Sequence, residues 1–239
     1  MTLQEWIKLL SSHQISAADS SHFGLFPMIR THVSGLYRRK DTCVFGSASI
    51  AYILQDILPL LSGQQKQDVE KIVQNIRSIY PRYQNKNGRN TYNFWMTKPS
   101  SAFPNGVLLH RFKHFQLPDD IDDTALILLT SQPHKTDSYE LAQSFTRRNR
   151  QLRTPHLHNS FFEQMDNEQD IYQTWFGEKM PLEFDICVLC NWMTYALRHV
   201  KTLQGSDLAT LQFIQTQLRT GKWLSNPFDI SRHYGTSYW

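Results

Sequence analysis

Cysteine, long apolar runs and net charge are all scarce in this chain of 239 residues. Its three cysteines make too few pairs for a disulfide framework and suit a reducing compartment. Apolar runs such as 50–54 and 125–129 reach only five residues, which is too short to span a bilayer. The N-terminus has no long apolar stretch followed by a cleavage site, so we expect a cytoplasmic protein without a transmembrane segment. The net charge of +4 is small and the basic residues are dispersed, which argues against nucleic acid as a partner.

The apolar content is high enough for a folded core, since 40% of the residues are hydrophobic and 13% are aromatic. The sequence contains neither a Gly-rich phosphate loop nor a Gly-x-Ser-x-Gly elbow, so two common nucleotide-binding and hydrolase motifs are excluded. A chain of this length forms one large domain or two small ones. We interpret residues 1–239 as a single domain.

Apolar residues recur at helical steps of three and four along most of the chain. One such series predicts a helix from about residue 64 to 80, which Pro81 closes. Only 91–96 looks extended, because no run shows sustained period-two alternation. The sequence therefore predicts an all-α protein of about ten helices. Similar apolar series predict helices over 44–58, 186–200 and 208–218, with weaker ones at about 2–11, 25–37, 120–130, 136–148 and 167–175.

The predicted helices follow one another in pairs, joined by short polar segments. Repeated helical hairpins of this kind build either a superhelix or a closed ring. Both architectures stay open at this point. The ring, an α/α toroid, needs about twelve helices. This chain is slightly short for that number, so a ring built from it would be incomplete.

Four aspartates stand close together just after Pro118 and just before an apolar stretch. Carboxylates at a helix N-terminus accept hydrogen bonds from free backbone amides and complement the helix dipole. That role explains one or two aspartates. Crowding four of them costs repulsion unless one is protonated, a cation is bound, or the side chains face water. The four are Asp119, Asp120, Asp122 and Asp123.

Two kinds of chemistry use such crowding. A carboxylic acid that protonates an alkene must stay neutral at working pH, and neighbouring carboxylates in a dry environment can arrange this. The same carboxylates could instead bind Mg²⁺ that bridges to a diphosphate. Residues 119–123 satisfy the spacing of both patterns, Asp-x-Asp-Asp and Asp-Asp-x-x-Asp, and the Thr-Ala that follows favours the acid.

Residues 120–125, DIDDTA, resemble the DxDDTA motif of class II terpene cyclases, the group of squalene–hopene cyclases and copalyl diphosphate synthases. Residues 217–223, QLRTGKW, are similar to the QW repeat of the same superfamily. The resemblance implies an α/α toroid that cyclises a linear isoprenoid substrate after an acid protonates it. It implies that Asp122 is the proton donor, that Asp120 and Asp123 hold it in its reactive conformation, and that Gly221 makes a tight turn.

The same resemblance has implications for the cofactor, the partner domain and the substrate-binding residues. No cofactor is expected, apart from Mg²⁺ if a diphosphate is bound. Class II cyclases place their pocket between two toroids, so a homo-oligomer or a separate partner domain would complete the site. Aromatic side chains can stabilise a carbocation through their ring faces, although most aromatic residues simply fill cores. The candidates for substrate binding are Tyr92, Phe94, Trp95 and Trp192.

Two alternatives remain open at this point. The chain could be a non-catalytic α/α-toroid binding module, in which the aspartates only cap a central helix. It could also be similar to the zinc-dependent β subunits of protein prenyltransferases, because Asp185, Cys187 and His233 follow the order of that zinc site. Alternatively, Asp185 is the N-cap of the 186–200 helix, and both Cys187 and Cys190 are small core residues.

Overall fold

The described part of the chain is mostly helical and divides into two compact units. It holds seven α-helices and one two-stranded sheet. The first unit comprises Met1–Gly88, Tyr92–Leu117 and Leu129–Gln132, and the second comprises Arg89–Thr91, Pro118–Leu128 and Pro133–Trp239. The computed structural model describes residues 1–16, 22–31, 38–98, 117–131, 137–146, 170–177, 180, 183–221, 224 and 231.

The first unit is built around a long amphipathic helix. Its three helices are α1 (Leu3–His13), α2 (Phe45–Ile57) and α3 (Gly63–Ile79), and both α1 and α2 pack against α3. Short 3₁₀ turns at Leu58–Leu60 and Tyr80–Arg82 follow α2 and α3. The helix predicted from about 64 to 80 is therefore confirmed, and its apolar positions are the buried ones: Val69, Ile72, Val73, Ile76 and Ile79.

A small antiparallel hairpin also belongs to the first unit. Strand β1 (Met28–Thr31) pairs with β2 (Arg38–Asp41), and the register runs from Met28 opposite Asp41 to Thr31 opposite Arg38. The weak helix predicted over 25–37 is thus wrong where the chain is described. Each strand has only four residues, which is too short to show alternation, and backbone bonds to the partner strand replace those of a helix.

The second unit contains most of α4 (Ile121–Thr130) and all of α5 (Asp137–Gln143), α6 (Ile186–His199) and α7 (Gly205–Thr220), of which α6 packs against α7. Every residue of α4 is buried, as expected of a core helix. Helix α7 ends at Gly221, whose φ of 64° is readily adopted by glycine, so the predicted tight turn is present.

Other predicted elements of the second unit have a mixed outcome. The helix predicted at about 120–130 is confirmed as α4, whereas the one predicted at 136–148 is shorter and ends at Gln143. The helix predicted over 167–175 is wrong for residues 170–175, which are not helical. There, Tyr172 and Trp175 form isolated bridges to Thr146 and Asp120, so backbone pairing with distant segments replaces local helical bonds. None of the helices in the described ranges has the length and apolar content needed to cross a membrane.

Candidate functional site

The four aspartates lie at the start of α4, in a segment fixed by backbone pairing. The amide of Ile121 donates to the carbonyl oxygen of Thr174 at 2.9 Å, and the amide of Phe176 donates to that of Asp119 at 3.0 Å. The four side chains are buried, with exposed fractions of 8% for Asp119, 5% for Asp120, 4% for Asp122 and 1% for Asp123. Their mutual repulsion is therefore not relieved by exposure to water.

Asp120 performs the helix-capping role that the sequence left open. Its Oδ1 accepts a hydrogen bond from the backbone amide of Asp123 at 2.8 Å, and its carbonyl oxygen accepts one from Thr124 Oγ1 at 2.6 Å. A carboxylate at this position satisfies a free amide at the positive end of the helix dipole. Capping thus accounts for one of the four aspartates.

Two further carboxyl groups receive hydrogen bonds from neutral side chains. Thr91 Oγ1 donates to Asp119 Oδ2 at 2.6 Å, and Asn191 Nδ2 of α6 donates to Asp122 Oδ1 at 2.6 Å. Neutral donors leave the negative charge of a carboxylate uncancelled, although they stabilise it. These contacts fix the orientation of Asp119 and Asp122.

Asp123 differs from the other three. Neither of its carboxyl oxygens accepts a hydrogen bond from any donor in the part of the chain that the structure describes. Burial, then the charges of Asp120 and Asp122 and a hydrogen bond to Asp120, raise the pKa of Asp123 well above its usual value. Burial and the charge of Asp122 also raise the pKa of Asp120 to about 8, against the opposing effect of its bonds from Asp123. Both shifts favour the protonated forms of these two carboxyl groups.

The aspartate cluster is also the candidate site for Mg²⁺. Over the described ranges, no three histidine, cysteine, aspartate or glutamate side chains come together as metal ligands. Mg²⁺ prefers several ionised oxygen ligands in octahedral geometry. The Mg²⁺ site expected with a bound diphosphate stays a prediction.

The candidate zinc ligands are only partly described, because His233 lies outside the described residues. Asp185 is the N-cap of α6, since its Oδ1 accepts from the amides of Cys187 at 2.9 Å and Val188 at 3.4 Å, and Ser231 Oγ donates to both of its oxygens at 2.8 Å. Burial raises the pKa of the Cys187 thiol to about 11. The capping interpretation of Asp185 is confirmed. The core role expected for the cysteines is wrong, because Cys187 is only half-buried and Cys190 is exposed. The zinc site stays a prediction.

The four candidate aromatic residues do not all belong to one unit. Tyr92, Phe94 and Trp95 are in the first unit, where the Phe94 and Trp95 rings meet edge to face at 4.7 Å and Trp95 Nε1 donates to Asp41 at 2.9 Å. Trp192 is in the second unit and is fully buried. Its ring centroid lies 5.1 to 6.3 Å from those of Tyr139, Tyr172 and Tyr195.

A second buried carboxyl group lies beside this aromatic cluster. Asp207 is fully buried and accepts hydrogen bonds from the hydroxyls of Tyr139 at 2.5 Å and Tyr172 at 2.7 Å, and from the amide of Gln204 at 2.6 Å. Burial and Asp207 raise the pKa of Tyr139 to about 12 and that of Tyr172 further, so both hydroxyls remain donors. Three donors compensate this carboxylate, which stabilises the start of α7.

Sequence reasoning missed Thr91, Asn191 and the two tyrosines that hold Asp207. Asn191 carried a usable signal, because it is a polar residue in the otherwise apolar first half of a predicted helix. Thr91 carried none.

No protein-family model matches this chain, and neither a curated protein nor a solved structure matches it. The resemblance to class II terpene cyclases therefore depends on residues 120–125 and 217–223 of this sequence alone.

Proposed function

We propose that this protein is an isoprenoid cyclase that starts cyclisation by protonating a carbon–carbon double bond of a linear substrate. The observation that carries the proposal is the burial of four neighbouring carboxyl groups, two of which have raised pKa values. An acid that remains protonated at neutral pH in a dry environment is what alkene protonation requires. The proposed architecture is an incomplete α/α toroid, which a second copy or a partner domain would complete.

In this proposal Asp122 is the proton donor, as the motif implies, and its proton comes from the neighbouring carboxyl groups whose pKa values are raised, Asp120 and Asp123. Its proton is transferred to an alkene carbon, and the electron pair of the double bond forms the new carbon–hydrogen bond. A carbocation and a carboxylate result, and the cation then closes the ring. The amide of Asn191, 2.6 Å from Asp122 Oδ1, is placed to stabilise the carboxylate that remains. A later proton loss from the cyclised cation restores the acid.

Asp120 supports a second candidate, a binding module without catalytic activity. Its capping bond to the amide of Asp123 gives one of the aspartates a purely structural role. In that case Asp122→Asn would change stability and no reaction. The two candidates therefore differ in the outcome of one experiment.

The experiment incubates the full chain in D₂O with farnesyl diphosphate, geranylgeranyl diphosphate or squalene and identifies products by mass spectrometry. We expect a cyclised product that carries one deuterium from the protonation step. Asp122→Asn should lower turnover by about 10²- to 10⁴-fold, the usual contribution of a general acid. Glu140→Gln, which changes an exposed carboxyl group of α5, is the control and should leave turnover unchanged.

Full turnover in Asp122→Asn would remove Asp122 from the donor role. A cyclised product without solvent deuterium would exclude initiation by protonation. If none of the three substrates gave a cyclised product, the binding module would be the better account.

A further inference from the structure

We propose that Asp123 carries a proton at neutral pH and donates it in a hydrogen bond to Asp120, so that this pair is the proton-holding part of the acid centre. The assignment differs from the one that the motif implies, because it places the stored proton on the third aspartate of DIDD. Its catalytic use rests on the proposed function, whereas the location of the proton does not.

The four carboxyl groups differ in the hydrogen-bond donors that reach them. Asp119 is bonded by Thr91, Asp120 by the backbone amide of Asp123, and Asp122 by Asn191. Asp123 is the most deeply buried of the four, at 1% exposure, and no donor in the described ranges reaches either of its oxygens. An ionised carboxylate without donors in such a place is far more costly than a neutral acid.

The charges around Asp123 do not offset its own. Among the described residues, the groups that act on it electrostatically are Asp119, Asp120 and Asp122, all of the same sign. Helix α6 faces Asp122 with the neutral amide of Asn191. No set of three metal-ligating side chains occurs in the described segments. Within the described residues no positively charged side chain is found to act on Asp123, and a proton would neutralise it.

The start of α4 stabilises the ionised form of Asp120 more than that of Asp123. Asp120 caps α4, and the positive end of the helix dipole together with the amide of Asp123 favours its ionised form. Asp123 also lies in the first turn of α4, but no amide in the described ranges bonds to its carboxyl oxygens. The side chains of Asp120 and Asp123 interact through a hydrogen bond. A protonated Asp123 therefore gives Asp120 two donors, the backbone amide of Asp123 and its carboxyl proton. The proton is therefore best placed on Asp123.

Infrared spectroscopy tests the assignment, because a protonated carboxyl group has a C=O stretching band well separated from that of a carboxylate. We expect this band in the wild-type chain at pH 7, without substrate. Asp123→Asn should reduce its intensity by one carboxyl group per chain. Asp119→Asn, within the same cluster, should leave it unchanged. The asparagine amide can donate to Asp120 as the proton does, and circular dichroism establishes that each variant is folded.

An absent band in the wild-type chain at pH 7 would overturn the proposal, as would equal intensity in folded Asp123→Asn. Should Asp123→Asn fail to fold, alkaline titration of the wild-type band decides. A band that persists at and above pH 7 supports the proposal, and one already lost below pH 7 contradicts it. The band is measured without substrate, so it can be present when the cyclase assay fails and absent when that assay succeeds.

Discussion

Lowering the pH from 8 to 5 should increase the free energy of unfolding of this protein, and Asp123→Asn should remove much of that increase. The pKa of Asp120 is raised to about 8 and that of Asp123 is raised well above its usual value, chiefly by burial. The folded chain therefore binds protons that the unfolded chain, with ordinary carboxyl pKa values near 4, has already released.

The sign follows from linkage. A group whose pKa is raised on folding contributes stability that is fully present below its unfolded pKa and is lost as the pH rises to its folded pKa. Here that window opens near pH 4, the ordinary carboxyl pKa, and extends upward to the folded pKa of Asp123, which is raised well above its usual value. Each retained proton changes the free energy of unfolding by about 1.4 kcal/mol per pH unit inside the window.

Urea unfolding at a series of pH values measures this dependence. The quantity to compare is the difference between the wild-type chain and Asp123→Asn, because contributions from histidines and other common groups cancel in it. At pH 8 the variant should be the more stable protein. Glu140→Gln, at an exposed carboxyl group, is the matched control and should follow the wild type. Parallel curves for the wild type and Asp123→Asn would contradict the account of the carboxyl pair.

Trp192→Ala should reduce the free energy of unfolding by about 3 to 5 kcal/mol, the usual cost of removing a large aromatic side chain from a core. Trp192 is fully buried and packs among the rings of Tyr139, Tyr172 and Tyr195. The substitution leaves a cavity and removes these ring contacts. Trp192 thus supports the fold of the second unit, whatever further contact its ring makes with a substrate.

The control for Trp192 is Trp6→Ala on α1, because Trp6 is 51% exposed. An exposed surface substitution of this kind usually changes stability by less than about 0.5 kcal/mol. Urea unfolding followed by circular dichroism compares the two variants at one pH. Similar small losses for both would show that Trp192 is not a core residue.

The spacing of apolar residues predicted well those helices that bury a single apolar face and have an end signal in the sequence. Helix α3 has one apolar face and a proline just after its end, so its period and its limits are both visible in the sequence. The hairpin of β1 and β2 was missed because its backbone bonds join two four-residue strands, and such pairing leaves no local period. Residues 170–175 were misassigned for the same reason, because they bridge to distant segments.

The candidate site also has a part that the sequence predicted and a part that it did not. The aspartate cluster could be identified from sequence, because four carboxyl groups at one helix start exceed what capping needs. Their partners could not, because Asn191 is 69 residues from Asp122 and Thr91 is 28 residues from Asp119. Which aspartate caps the helix and which lacks a donor depends on these distant contacts. The sequence therefore left the choice between capping and acid chemistry open.

The most direct measurement is the number of protons released when the folded chain is unfolded by urea at pH 7 in weakly buffered solution. The wild-type chain should release about one proton more than Asp123→Asn, because its buried carboxyl pair loses a proton as the pKa values return to their ordinary range. Equal proton release by the two chains would show that no proton is held on Asp123 and that the acid centre does not exist in the form described.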